Sequence, residues 1–144
     1  MLYTIILYTH ILSAIVSMGP LFAIFPLLNR MKDAPSEQVG GYVQSIQGIL
    51  RAIANGGHVV VPSGLLLIWF SGWSWKTSWV ILTFIVMFAS LFFMARAFKP
   101  AMTYAKSNGF VKENFISMIK NATLKYIFLM GILLWLMIVK PNFW

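Results

Sequence analysis

Residues 2–28, LYTIILYTHILSAIVSMGPLFAIFPLL, decide the fold of this chain. The block contains no Asp, Glu, Lys or Arg and stops at Asn29-Arg30-Met31-Lys32-Asp33. A bilayer core about 30 Å thick is spanned by roughly 20 mostly apolar residues, so this block is long enough to cross. It is too long for the apolar region of a signal peptide, and no basic segment precedes it. It therefore reads as a retained transmembrane helix.

Three more blocks of the same kind follow, over about residues 52–70, 77–98 and 123–139. Pro100 and Pro141 follow the ends of the last two. The four spans nearly exhaust the 144 residues, which leaves a single transmembrane domain, 1–144. Composition agrees, because only 10% of residues are charged, against about 25% in soluble domains. The expected fold is all-α: an integral membrane four-helix bundle.

The net charge of +8 would suggest nucleic acid in a soluble protein. Here the cations flank spans, so no nucleic acid is expected and anionic lipid headgroups are the expected partner. Arg30, Lys32, Arg51, Arg96, Lys99, Lys106, Lys112, Lys120 and Lys125 fall on one side, and only Lys76 and Lys140 on the other. That asymmetry predicts an N-out, C-out topology. Trp73, Trp75, Trp79, Trp135 and Trp144 cluster at the outer ends, where indoles anchor at headgroup depth.

The two inner connections carry helical apolar periodicity. Val39, Tyr42, Val43, Ile46, Ile49, Leu50 and Ile53 recur on one face after Pro35, with Ser36 as a capping candidate. Phe110, Phe115, Ile116, Met118 and Ile119 do the same after the Asn108-Gly109 turn. These are read as amphipathic helical extensions on the cytoplasmic side, the first of them lying on the membrane or extending the second span inward. Gly56-Gly57 is a candidate bend between that first stretch and the second span.

Intramembrane polarity concentrates in the first two spans. His10, Ala14, Ser17 and Leu21 share one face of the first, with Ser13 beside it. Arg51, Asn55, His58, Pro62 and Leu65 share one face of the second, with Gly57, Val61 and Gly64 alongside. Polar groups are costly in hydrocarbon, so both faces are expected to point inward, toward each other or a shared cavity. Pro20, Pro26 and Pro62 either kink their helices or shape that cavity.

Imidazole ligates haem iron, zinc and copper. The candidate cofactor-binding set is His10, His58, Met18, Arg51 and Asn55, with His10 and His58 as metal ligands. The sulfur of Met18 or of another of the nine methionines is a candidate second axial contact, and Arg51, Arg96, Lys76 or Lys125 are candidate propionate partners. At about 1.5 Å per residue, His10 and His58 sit about 10 Å apart along the membrane normal. Two ligands of one iron should be nearly level, so ligation by one histidine stays open beside ligation by two. A purely interhelical hydrogen-bonding role for either ring also stays open. No nucleophile constellation, phosphate loop or carboxylate pair is present, so a hydrolytic enzyme is not expected. With no cysteine, thiolate metal sites are excluded.

Leu7-Tyr8-Thr9-His10-Ile11-Leu12-Ser13-Ala14, then Gly19 and Arg30, together with a last helix closing Leu136-Met137-Ile138-Val139-Lys140-Pro141, resembles small bacterial predicted integral membrane proteins. These are similar in turn to copper-resistance protein D membrane domains and to HemJ-type protoporphyrinogen oxidases. In the latter a first-helix histidine is associated with haem, and His10 matches that position; the other functional residues have no counterpart here. The resemblance implies haem, porphyrin or copper biology in a bacterial cytoplasmic (inner) membrane. The expected function is that of a membrane protein, alone or as a homodimer, that binds haem b, with a redox or haem-relay role beside a respiratory or haem-handling membrane partner. The alternatives are a small-molecule or metal-ion permease subunit, or a non-catalytic structural accessory subunit.

Overall fold

A computed structural model describes all residues, 1–144, and is helical with no strands. Its elements are α1 (Leu2–Asp33), α2 (Ser36–Ser71), α3 (Ser78–Ala97), α4 (Lys99–Tyr104) and α5 (Lys112–Val139). Four helical segments are long and apolar enough to cross a membrane: α1, α2, the α3–α4 run Ser78–Tyr104, and α5.

The helices are longer than the apolar blocks alone. The periodic stretch after Pro35 is the first half of α2, which runs unbroken through Gly56-Gly57. The two glycines therefore lie inside one continuous helix. Ser36 is the first helical residue and caps nothing, because Pro35 occupies the N-cap. The stretch around Phe115 likewise belongs to α5, with Phe115, Ile116 and Ile119 buried and Met118 exposed. Pro20, Pro26 and Pro62 all lie inside continuous helices. Each removes one backbone donor, which leaves the carbonyls of Val16, Phe22 and His58 without their usual partner four residues on.

Helices α1 and α2 form a tight antiparallel hairpin, α3 packs on α5, and α5 joins the pairs by packing on α1. α2 makes no comparable contact with α3. The bundle is thus closed on three sides and open on the fourth. At the end holding the α1–α2 turn, Leu28, Met31, Ile46, Phe98, Ala101, Phe115 and Ile119 make a dense core. Lys112 ties this end together: its ammonium donates to the carbonyls of Lys32 and Ala34 across the α1–α2 turn.

The other end holds both termini and is knitted by the C-terminal tail. The Ser78 hydroxyl donates to the Pro141 carbonyl at 2.9 Å and accepts from the Phe143 amide at 2.9 Å. The Trp144 indole donates to the Lys76 carbonyl at 3.1 Å. Helix α5 stops at Lys140, whose φ of 48° is the only positive value at a non-glycine residue. A hollow, in place of a core, occupies this half.

Candidate functional site

The hairpin is held close by small residues. Ser13, Ser17, Leu21, Ile24, Leu28 and Met31 form the buried face of α1, and Ile46, Leu50, Ile53, Gly56 and Ser63 most of that of α2. Gly56 sits against the Ser17 backbone, where a Cβ would stand 2.9 Å from the Ser17 nitrogen. The Ser17 hydroxyl crosses to donate to the Ile53 carbonyl at 3.2 Å. Close approach of this kind is what small residues give two membrane helices.

His10 sits one storey above that contact. Its Nδ1 lies 3.1 Å from the Val60 carbonyl and 3.0 Å from the Ser63 hydroxyl. A carbonyl only accepts, so Nδ1 carries the hydrogen. The Ser63 hydroxyl spends its own hydrogen on the Val59 carbonyl at 2.7 Å and faces His10 with a lone pair. Nε2 is then the unprotonated nitrogen and keeps its lone pair free. Gly64 makes room for the ring, since a Cβ there would lie 3.1 Å from His10 Cε1.

His10 is one wall of a cavity of about 260 Å³ lined by all four spans. The cavity fills the side where α2 and α3 do not pack, with Val60, Gly64 and Leu67 on one flank and Trp79, Thr83 and Met87 on the other. Its lining is mainly apolar and includes four methionines, Met18, Met87, Met130 and Met137. At 1.5 Å per residue, His10 lies about 12 Å along α1 from Leu2, while Met87 and Met130 each lie about 13 Å from Ser78 and Val139. The tail bonds to Ser78 keep the ends of α3 and α5 level, so Met87 and Met130 share one storey.

The sequence-expected site residues divide. His10 and Met18 line the cavity, whereas His58, Arg51 and Asn55 do not and are exposed. The expectation of two histidines in a shared pocket is therefore corrected. Gly56 fixes the inward face of α2, and His58 two residues later is rotated about 200° from it at 3.6 residues per turn. Met18 is corrected as a partner of His10, because eight residues along one helix separate them by about 12 Å. No cluster of three or more His, Cys, Asp or Glu residues is present.

Two further polar groups belong to the cavity wall. Trp79 and Thr83 are both 7% exposed and both line it. Neither the Trp79 indole N–H nor the Thr83 hydroxyl has a hydrogen-bond partner. Lys140 closes the rim, with its ammonium 5.3 Å from the Trp73 ring centre and 5.5 Å from that of Trp79. Comparison with protein-family models, with curated proteins and with solved structures gives no match, so the geometry carries the functional reading.

Proposed function

We propose that this chain is a multi-pass protein of a bacterial cytoplasmic membrane that binds haem b in the cleft between α2 and α3, with His10 as an axial ligand. The observation that carries the reading is the 3.1 Å contact of His10 Nδ1 with the Val60 carbonyl, which assigns the ring hydrogen to Nδ1 and leaves the Nε2 lone pair free in an apolar cavity. Metal-ligating histidines characteristically give their other N–H to such a carbonyl, which fixes the ring and raises its basicity. Met87 or Met130, which line the same cavity, would offer a thioether sulfur to the group. The donor set fits the group, and so does the apolar wall. The volume is just under the range of about 300–1,000 Å³ common for small-molecule pockets, and the cavity opens between α2 and α3. Bound there, haem supplies one-electron chemistry, and the protein would relay electrons or pass haem on to a respiratory or haem-handling partner.

Nine of the eleven Lys and Arg residues lie toward the α1–α2 turn end of the bundle, which supports an N-out, C-out topology. In that orientation the first half of α2 and the start of α5 are the cytoplasmic extensions. The test is a visible spectrum of the purified protein, as isolated and after haem is offered. A Soret band that His10→Ala removes and His58→Ala leaves intact is expected. A colourless protein under both conditions refutes the proposal. A second reading is favoured by the four methionines: thioether sulfur with imidazole also suits cuprous ion, as a metal-ion permease subunit would need. Copper analysis of the same samples separates the two.

A further inference from the structure

We propose that the rim of this cavity is a carboxylate-binding site, and that the cleft takes a lipophilic carboxylic acid from the bilayer. The inference uses the cavity described above but not the metal-ligating role of His10.

Three observations converge on the rim. The Trp79 indole N–H and the Thr83 hydroxyl are buried donors without partners. A buried polar group left unpaired costs about 1–3 kcal/mol, so two on one cavity wall point to an acceptor that arrives with a ligand. Lys140 adds the only cation among the lining residues. It is held there by an αL backbone conformation, and the tail beyond it is fastened to Ser78. Its ammonium lies 5.5 Å from the Trp79 ring centre, which brings a charge and an unpaired N–H to one corner of the rim.

The rest of the cleft sets the ligand's body. From Trp79 down to Ser90 the lining runs about 16 Å along α3 at 1.5 Å per residue, and it is apolar for most of that length. A volume of about 260 Å³ spread over that depth makes a narrow cleft. The open side between α2 and α3 faces the lipid that surrounds a bundle in a membrane, so a ligand dissolved in the bilayer needs no aqueous route. A charged head at the rim and an apolar body below describe an amphipathic carboxylate, either a chain lipid or a porphyrin.

The test is binding of radiolabelled oleate to the full chain in nanodiscs of zwitterionic lipid, with unlabelled competitors. Oleate is expected to bind saturably, and methyl oleate to compete about tenfold or more weakly, as loss of a charge-assisted contact implies. Lys140→Gln should weaken oleate binding by a similar factor and erase the difference between acid and ester. Because Lys140 is exposed, this variant should keep its fold, which circular dichroism checks. Trp79→Phe should weaken oleate while leaving methyl oleate less affected. His10→Ala should leave the acid-to-ester ratio in place, which separates the carboxylate rim from the haem reading. Metal-free protoporphyrin IX and its dimethyl ester identify the source. Displacement by the acid alone points to a porphyrin, and no displacement by either points to a chain lipid. Equal affinity for oleate and its ester, or an acid-to-ester ratio unchanged by Lys140→Gln, overturns the proposal.

Discussion

Replacing Gly56 by alanine tests the packing that orients the whole site. The added Cβ would stand 2.9 Å from the Ser17 nitrogen and 3.1 Å from its Cα and Cβ, against 3.4 Å or more in ordinary contact. Two of those atoms are backbone, so no rotamer change relieves the clash and the helices must part by about 0.5 Å. The Ser17-to-Ile53 hydrogen bond, already 3.2 Å, would then pass out of useful range. Overpacking costs about 1–3 kcal/mol. The lost interhelical bond adds about 0.6 kcal/mol. Alanine returns about 0.5–1 kcal/mol of helix propensity. The net expectation is a destabilisation of about 0.6–3 kcal/mol, built from those three contributions. Unfolding by titrated SDS in mixed micelles, followed by circular dichroism, measures it. Gly57→Ala is the control, since a Cβ there meets nothing within 4 Å, and it should be neutral or mildly stabilising. If both variants unfold at the same SDS fraction, the hairpin is not packed through Gly56 and the placement of His10 against Val60 loses its support.

The other expectations concern the cavity and the core. Gly64→Ala brings a methyl to 3.1 Å from His10 Cε1, so it should shift or broaden a haem Soret band while costing little stability, about 1 kcal/mol or less. An unaltered spectrum would show that the ring does not need the Val60 position. Thr83→Val removes an unpaired buried hydroxyl at nearly constant shape and should stabilise the ligand-free protein by about 1 kcal/mol while weakening carboxylate binding. Opposite movement of either quantity counts against a ligand-facing Thr83. Thr123→Val, at a fully buried hydroxyl that also lacks a partner but does not line the cavity, should give a similar gain in SDS resistance with no change in binding. Equal effects of Thr83→Val and Thr123→Val on binding would remove the distinction between cavity and core.

The helical architecture was legible because apolar length alone carries it: apolar blocks of 17 residues or more with at most one charge have few other solutions. His10 was legible too, as an imidazole on a face that also holds Ser17 and Leu21. The inward face of α2 was not. That helix carries two stripes, one of Arg51, Asn55 and His58 and one of Gly56, Ser63 and Gly64, and polarity alone favours burying the first. Packing chose the second, because glycine and serine let two backbones meet while an asparagine and a histidine would hold them apart. The usable signal was the spacing of small residues, read jointly on both helices: Ser13 and Ser17 on α1 match Gly56 and Ser63 on α2 in an antiparallel register.

The remaining site residues were hidden for a different reason. Met87 and Met130 are two of nine methionines that the sequence leaves open as sulfur donors, and nothing local distinguishes a thioether in a cavity wall from one facing acyl chains. Their relation to each other arises only when the ends of α3 and α5 are set level, which depends on the C-terminal tail binding Ser78. Trp79 likewise reads as a headgroup anchor, as indoles at span ends usually are. What separates it from Trp73 and Trp75 is burial: those two are more than 40% exposed, Trp79 only 7%. An anchoring indole keeps its N–H in water or headgroups. An indole whose N–H is sealed from both and finds no protein acceptor has given up that role, and an incoming acceptor is the physical reason to keep it there.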